Sequence, residues 1–141
     1  MQTAGYSGTP LAKKLGIKPE FKIELINAPD HYLNLFSDMP PDVVFTHYPD
    51  ELKNMIHFFV RHKDEYFEIL PQLKEQIVQN GMIWVSWPKK ASKVHTDLTE
   101  NIIRDYALET GLVDVKVCAV DEVWSGLKLV IRLADRSPLA P

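Results

Sequence analysis

The chain is poor in the residues that build covalent or metal-held frameworks. Cys118 is the single cysteine among 141 residues, which excludes an internal disulfide and any CxxC metal pair. A lone thiol fits a reducing compartment. Only six glycines are present, and no GxxxxGK[ST] pattern occurs, so a P-loop is excluded. No apolar run is long enough to cross a bilayer, and Met1 to Gly16 contains no apolar core of signal-peptide length. The expectation is a cytoplasmic protein without membrane contact. Basic residues are not in excess: 16 Lys and Arg against 19 Asp and Glu give a net charge of −3. That balance argues against binding along a nucleic-acid backbone, while a small local anion site stays compatible with it.

What is present is an ordinary globular mixture, 45% apolar and 25% charged. The length suits one domain, and a chain of this size buries about two-thirds of its unfolded surface without staples. The expected boundaries are a single domain over 1–135, with an irregular arm over 1–10, and a flexible tail over 136–141.

Along the chain, Thr9 reads as an N-cap with Pro10 at the first helical position, followed by a helix from Leu11 to Leu15 that stops at Gly16. Phe21 to Asn27 alternates apolar and polar residues, the period of a half-buried strand. Asp30 is placed to cap a short helix through Phe36, and Val43 to His47 reads as a second strand. Met55 to Val60 is short, aromatic and apolar, which favours a strand over the start of a helix. Tyr66, Ile69, Leu70, Leu73 and Ile77 form one helical stripe between Lys63 and Gln79. Pro71 should kink that helix, and Asn80-Gly81 should cap its end. Met82 to Trp87 is apolar on both faces, as in a central strand. Asp97, with Glu100 three residues on, reads as a capping box for a helix that carries Ile102, Ile103, Tyr106 and Ala107 and ends near Gly111. Val113 to Val120 and Leu127 to Leu133 form a closing hairpin around a turn at Asp121 to Gly126. Helices alternating with strands predict an α/β fold. The expected architecture is a three-layer, Rossmann-like, mostly parallel sheet of about six strands with a C-terminal antiparallel hairpin.

Four long motifs carry a resemblance: Tyr6 to Ile17 (YSGTPLAKKLGI), Trp84 to Lys89 (WVSWPK), Asp97 to Glu100 (DLTE) and Val120 to Val130 (VDEVWSGLKLV). Together they resemble a bacterial family known as a domain of unknown function, number 3052, over nearly the whole chain. That resemblance implies no activity. More loosely, Leu15-Gly16-Ile17-Lys18-Pro19 before the first strand is similar to the entry of class I S-adenosylmethionine-dependent methyltransferases. The passage from helix through Asn80-Gly81 into Met82-Ile83-Trp84-Val85, followed by helix and hairpin, is similar to the second half of that fold. The glycine-rich turn that lets such enzymes bring backbone against the cofactor is missing here. Asn27-Ala28-Pro29-Asp30-His31 stands in its place, and about fifteen residues separate the first two expected strands.

In an open α/β sheet, ligands bind beyond the carboxyl ends of the strands. That rule selects Asn27, the segment Thr46 to Tyr48, the loop from Trp87 through Lys89, Lys90 and Ser92, and the turn holding Asp121, Glu122, Trp124 and Ser125. The cationic loop offers a place for a phosphate or carboxylate, although Asp97 competes for the amides of the following helix. Trp84 reads as core, whereas Trp87 and Trp124 are candidate stacking surfaces. Asp121 and Glu122 are adjacent carboxylates but, as strand neighbours, need not converge. Five histidines show neither HxH nor HExxH spacing, so no metal site is expected. His57 reads as a hydrogen-bonded residue of the core or edge, and Cys118 as a small buried hydrophobe.

No complete catalytic constellation is legible. The first reading is a non-catalytic module that binds a small anionic ligand or a protein partner at the carboxyl edge, with no cofactor required. Its alternatives are a methyltransferase-like enzyme with a reduced cofactor site and a structural subunit that oligomerises through Trp87 and Trp124. The candidate ligand residues are Asn27, Trp87, Lys89, Lys90, Ser92, Asp121, Trp124 and Ser125.

Overall fold

The computed structural model describes residues 8–137. Most of the expected N-terminal arm and the end of the tail lie outside them. Six strands form one sheet: β1 (Lys22–Ile26), β2 (Val44–Phe45), β3 (Lys53–Phe59), β4 (Ile77–Pro88), β5 (Leu112–Ala119) and β6 (Trp124–Ile131). Their order is β2-β1-β3-β4-β6-β5. β1, β2, β3 and β4 run parallel, and β6 is antiparallel to both β4 and β5. Met55 to Val60 is thus largely strand, and the closing hairpin and mostly parallel sheet are as expected.

Helices α2 (Lys63–Lys74) and α3 (Glu100–Glu109) cover one face, and α1 (Leu11–Leu15) lies on the other. Strand alternation sorts the side chains between two cores. Ile56, Phe58, Ile83, Val85, Trp87, Leu127 and Leu129 pack under α2 and α3. Met55, Met82 and Trp84 pack under α1. The Trp84 indole N–H donates to the Leu15 carbonyl at 2.9 Å, tying the end of α1 to the sheet centre. Gly16 then turns the chain at φ +83°, a left-handed conformation that glycine adopts without penalty. Gly126, opposite Ser86 on β4, has a different cause: a Cβ there would lie 3.1 Å from the Trp84 ring.

Several local signals resolve differently from expectation. Pro10, not Thr9, is the N-cap of α1 and makes no side-chain cap. The distant Asp38 carboxylate accepts from the Ala12 and Lys13 amides instead. The segment after β1 is a single 3₁₀ turn, Tyr32–Leu35, begun by His31 and not capped by Asp30. Helix α2 stops at Lys74, and Ile77 already belongs to β4. Asn80 and Gly81 fall in an irregular stretch of that strand, where its register against β3 shifts. The cause is long-range: the Lys53 amide donates to the Gln76 carbonyl at 2.9 Å, drawing the chain into the sheet. Pro71 sits inside α2 and lacks the N–H that would satisfy the Phe67 carbonyl. The Tyr106 hydroxyl of α3 donates to that carbonyl at 2.9 Å.

Asp97 does not cap α3. Thr99 does, accepting from the Ile102 amide at 3.2 Å. The Asp97 carboxylate accepts instead from the Lys63 amide at 2.8 Å, at the start of α2. The final hairpin is tighter than expected, since Trp124 and Ser125 open β6 and are not part of the turn. Arg136, at the start of the expected tail, donates to the Ile131 carbonyl at 3.0 Å.

Candidate ligand cleft at the carboxyl edge

The chain leaves β1 towards β2 on one side and later leaves β3 towards β4 on the other. The carboxyl ends of β1 and β3 therefore flank the topological switch point, where an open α/β sheet forms its natural crevice. A cleft of about 420 Å³ lies there, lined among others by Asn27, Phe59, Arg61, His62, Glu65 and Trp124. Its size is within the range of small-molecule sites, roughly 300–1,000 Å³.

Asn27 ends β1 with φ +58°. It adopts the left-handed bend for which glycine is the usual choice, a conformation asparagine tolerates better than most residues. Its amide donates to the Phe59 carbonyl and to the Glu65 carboxylate, both at 3.1 Å. The bend is kept without glycine, but the side chain now lies across the gap between β1, β3 and the first turn of α2. On the α1 side, Tyr32 packs against the sheet, edge-on to His57 and Phe59 at 5.4 and 5.8 Å. Phe59 in turn meets the Trp124 ring edge-on at 5.1 Å. The open part of the crevice is thus displaced towards α2. Arg61 lies at that mouth, and its guanidinium makes no hydrogen bond or ion pair among the described residues.

Behind this aromatic wall runs a buried polar chain. The Tyr32 hydroxyl meets His57 Nδ1 at 2.9 Å, and His57 Nε2 meets the Ser86 hydroxyl at 2.8 Å. All three residues are buried. Burial pushes the His57 pKa down to about 3 and raises that of Tyr32. The imidazole is therefore neutral at pH 7 and bonded at both nitrogens, the state a buried histidine needs. A serine beside a histidine beside a hydroxyl has the partners of a nucleophile relay, but here all three are buried in the interior.

The candidate residues fall into three groups. Asn27 and Trp124 line the switch-point cleft. Trp87 and Lys90 line a separate cavity of about 390 Å³ beside Thr99 and Glu100 at the start of α3. Trp87 is itself buried in the core under α2 and α3, and Ser125 is its cross-strand partner. The remainder hold the loops together. Ser92 donates to the Lys89 carbonyl at 2.7 Å and accepts from the Val94 amide. Asp121 accepts from the Val123 and Trp124 amides, both at 2.8 Å. It also faces His31 at 3.3 Å, joining the segment after β1 to the β5–β6 turn. Lys89 has its pKa lowered, first by burial and against the pull of Asp121. Arg61, His62 and Glu65 were missed by sequence reasoning. Their signal was available, since Arg61-His62 directly follows an apolar strand and so occupies a strand's carboxyl end.

A family model for a protein of unknown function (DUF3052) matches residues 38–133, and the chain belongs to that family. No curated protein matches the chain in sequence. Its fold is that of the methyltransferases. It is similar to the ribosomal protein L11 methylase of Lactobacillus delbrueckii subsp. bulgaricus, with a TM-score of 0.56 and 11% identity over 85% of this chain and 74% of that one. It is likewise similar to the magnesium protoporphyrin IX methyltransferase of Synechocystis PCC 6803, solved with bound SAH, with a TM-score of 0.54 and 8% identity over 86% and 78%. The fibrillarin pre-rRNA processing protein of Methanococcus jannaschii gives 0.54 and 11% over 81% and 67%. Of the neocarzinostatin O-methyltransferase NcsB1 the chain spans only 49%. Among the described residues no group of histidines, cysteines and carboxylates is placed to hold a metal, and no helix is long and apolar enough to cross a membrane.

Proposed function

We propose that this domain is a non-catalytic binding module that takes a small anionic ligand in the switch-point cleft. The observation that carries the reading is the company Arg61 keeps. An uncommitted guanidinium stands at the mouth of a crevice walled by Phe59 and Trp124, where fixed forked donors suit a carboxylate or phosphate. The aromatic wall offers a face to a flat group on the same ligand. The sealed state of His57 and Ser86 favours binding over catalysis. The Asn27 side chain lies across the end of β1, where a backbone-hugging cofactor requires a bare turn, which disfavours a full S-adenosylmethionine site.

The test is a thermal-shift screen of S-adenosylmethionine, S-adenosylhomocysteine, nucleotides, sugar phosphates and small carboxylates, followed by calorimetry on any hit. A ligand at a hundred times its Kd adds about 2.7 kcal/mol of apparent stability, a shift of a few degrees for a domain of this size. The expected result is a shift with an anionic compound that Arg61→Ala abolishes. No shift with any compound would sink the small-ligand reading and leave a protein partner. An adenosyl-specific shift accompanied by methyl transfer would move the protein to the enzyme class its fold suggests.

A further inference from the structure

A second pocket, of about 440 Å³, lies away from this cleft, between α1 and the edge strand β5. It is lined by Thr9, Lys13, Lys14, Lys116, Val117 and Cys118, among others. Its charge is one-sided. Lys14 donates to the Ala119 carbonyl at 2.9 Å, and Lys116 donates to the Lys14 carbonyl at 3.0 Å. Both ammonium groups are therefore tethered at the pocket. Lys128, inward of Lys116 on β6, places its Nζ 3.7 Å from where a Cβ on Gly16 would stand. Burial and the charges of Lys116 and Lys18 lower its pKa. Lys14 and Lys116 also act on Cys118, countering the rise that burial imposes on the thiol.

Lys13, Lys14, Lys18, Lys116 and Lys128 take part in no ion pair among the described residues. Yet the chain as a whole carries an excess of acids. Gathering like charges around a partly desolvated pocket opposes folding unless a counter-charge joins them. Lysines that merely cap the carbonyl end of α1 account for Lys13 and Lys14 but not for Lys116 and Lys128, which arrive from the hairpin. Lys13, Lys14 and Lys116 line the cavity, with Lys128 beside Lys116, and this compact cluster fits a compact polyanion better than a nucleic-acid strand.

We propose that this pocket is a second binding site, for a small polyanion bearing phosphate groups. It is separate from the cleft at the switch point. Inorganic pyrophosphate is the probe, with sodium chloride of matched ionic strength as the reference. Pyrophosphate should raise the Tm of the wild-type chain by a few degrees above the salt reference and slow alkylation of Cys118 by iodoacetamide several-fold. Lys14→Gln/Lys116→Gln should lose both effects. Lys13→Glu, which reverses the charge of an exposed lysine on the pocket wall, should lose them without disturbing either lysine tether and decides the matter if the double variant is poorly folded. Arg61→Ala should keep both effects, so the two sites fail or stand independently. No rise above the salt reference in wild type, or a rise undiminished in Lys13→Glu, would overturn the proposal.

Discussion

The two faces of the sheet solve burial in different ways. Under α2 and α3, the core is built mainly from aliphatic and aromatic groups that interdigitate without directional demands. The buried Tyr66 hydroxyl on this face is satisfied by the Ile103 carbonyl at 2.6 Å. Under α1 and the Tyr32–Leu35 turn, the interior holds a continuous polar chain and an indole bonded to the backbone. Shape and volume specify the first face, while the second is specified by matched donors and acceptors. Apolar packing degrades gradually when altered, whereas a buried hydrogen bond leaves an orphan when one partner goes.

The largest effect should follow from cutting the polar chain at its centre. His57→Leu strands the Tyr32 and Ser86 hydroxyls in the interior and should cost about 3–4 kcal/mol, at roughly 1–3 kcal/mol per orphaned group. Adding Tyr32→Phe and Ser86→Ala should recover part of that loss. On the opposite face, Ile103→Val should cost only about 1 kcal/mol. Urea unfolding at pH 7 measures all three, and equal losses for His57→Leu and Ile103→Val would erase the distinction between the faces.

A smaller effect follows from pH. The His57 pKa is depressed from 6.5 to about 3 in the folded chain, so the unfolded chain binds the extra proton between those values. Stability is then full above about pH 6.5 and is lost as pH falls towards 3. From pH 7 to pH 5 the loss from this group should be about 2 kcal/mol. Urea midpoints for the His57→Leu/Tyr32→Phe/Ser86→Ala variant should change less over that range; an identical slope in both proteins would remove His57 as its source.

The smallest effect sharpens the contrast from the other side. Tyr106→Phe removes the donor to the Phe67 carbonyl that Pro71 leaves open. Because this bond lies at the exposed surface, water replaces it, and the cost should be about 0.5 kcal/mol. In a Pro71→Ala background, with the helical amide restored, thermal unfolding should find no effect of Tyr106→Phe.

The pattern of success along the chain follows the same division. Local signals located α1 and every strand to within a few residues, Ile77 to Gly81 excepted: a first-turn proline and a stopping glycine for α1, alternation or short apolar runs for the strands. Capping was misread wherever the partner came from afar, since Asp38 serves α1 and Asp97 serves α2. The candidate site was half legible. Asn27 and Trp124 follow from the rule of strand ends, but Ser92 and Asp121 turn out to have their polar atoms engaged by their own loops. Residue identity does not reveal how many of a side chain's bonds are already made.

By itself, the sequence determined the α/β class, the single thiol, the acidic balance and the two-faced burial of β3 and β4, because composition and alternation are properties of the chain. Only the tertiary structure decided that Asn27 bends as a glycine would, that Tyr32 seals His57 and Ser86 from solvent, and that lysines from α1 and β5 line one pocket. Each of those outcomes joins residues far apart in the chain, and their contact depends on strand order and register. Composition and local spacing do not encode either directly.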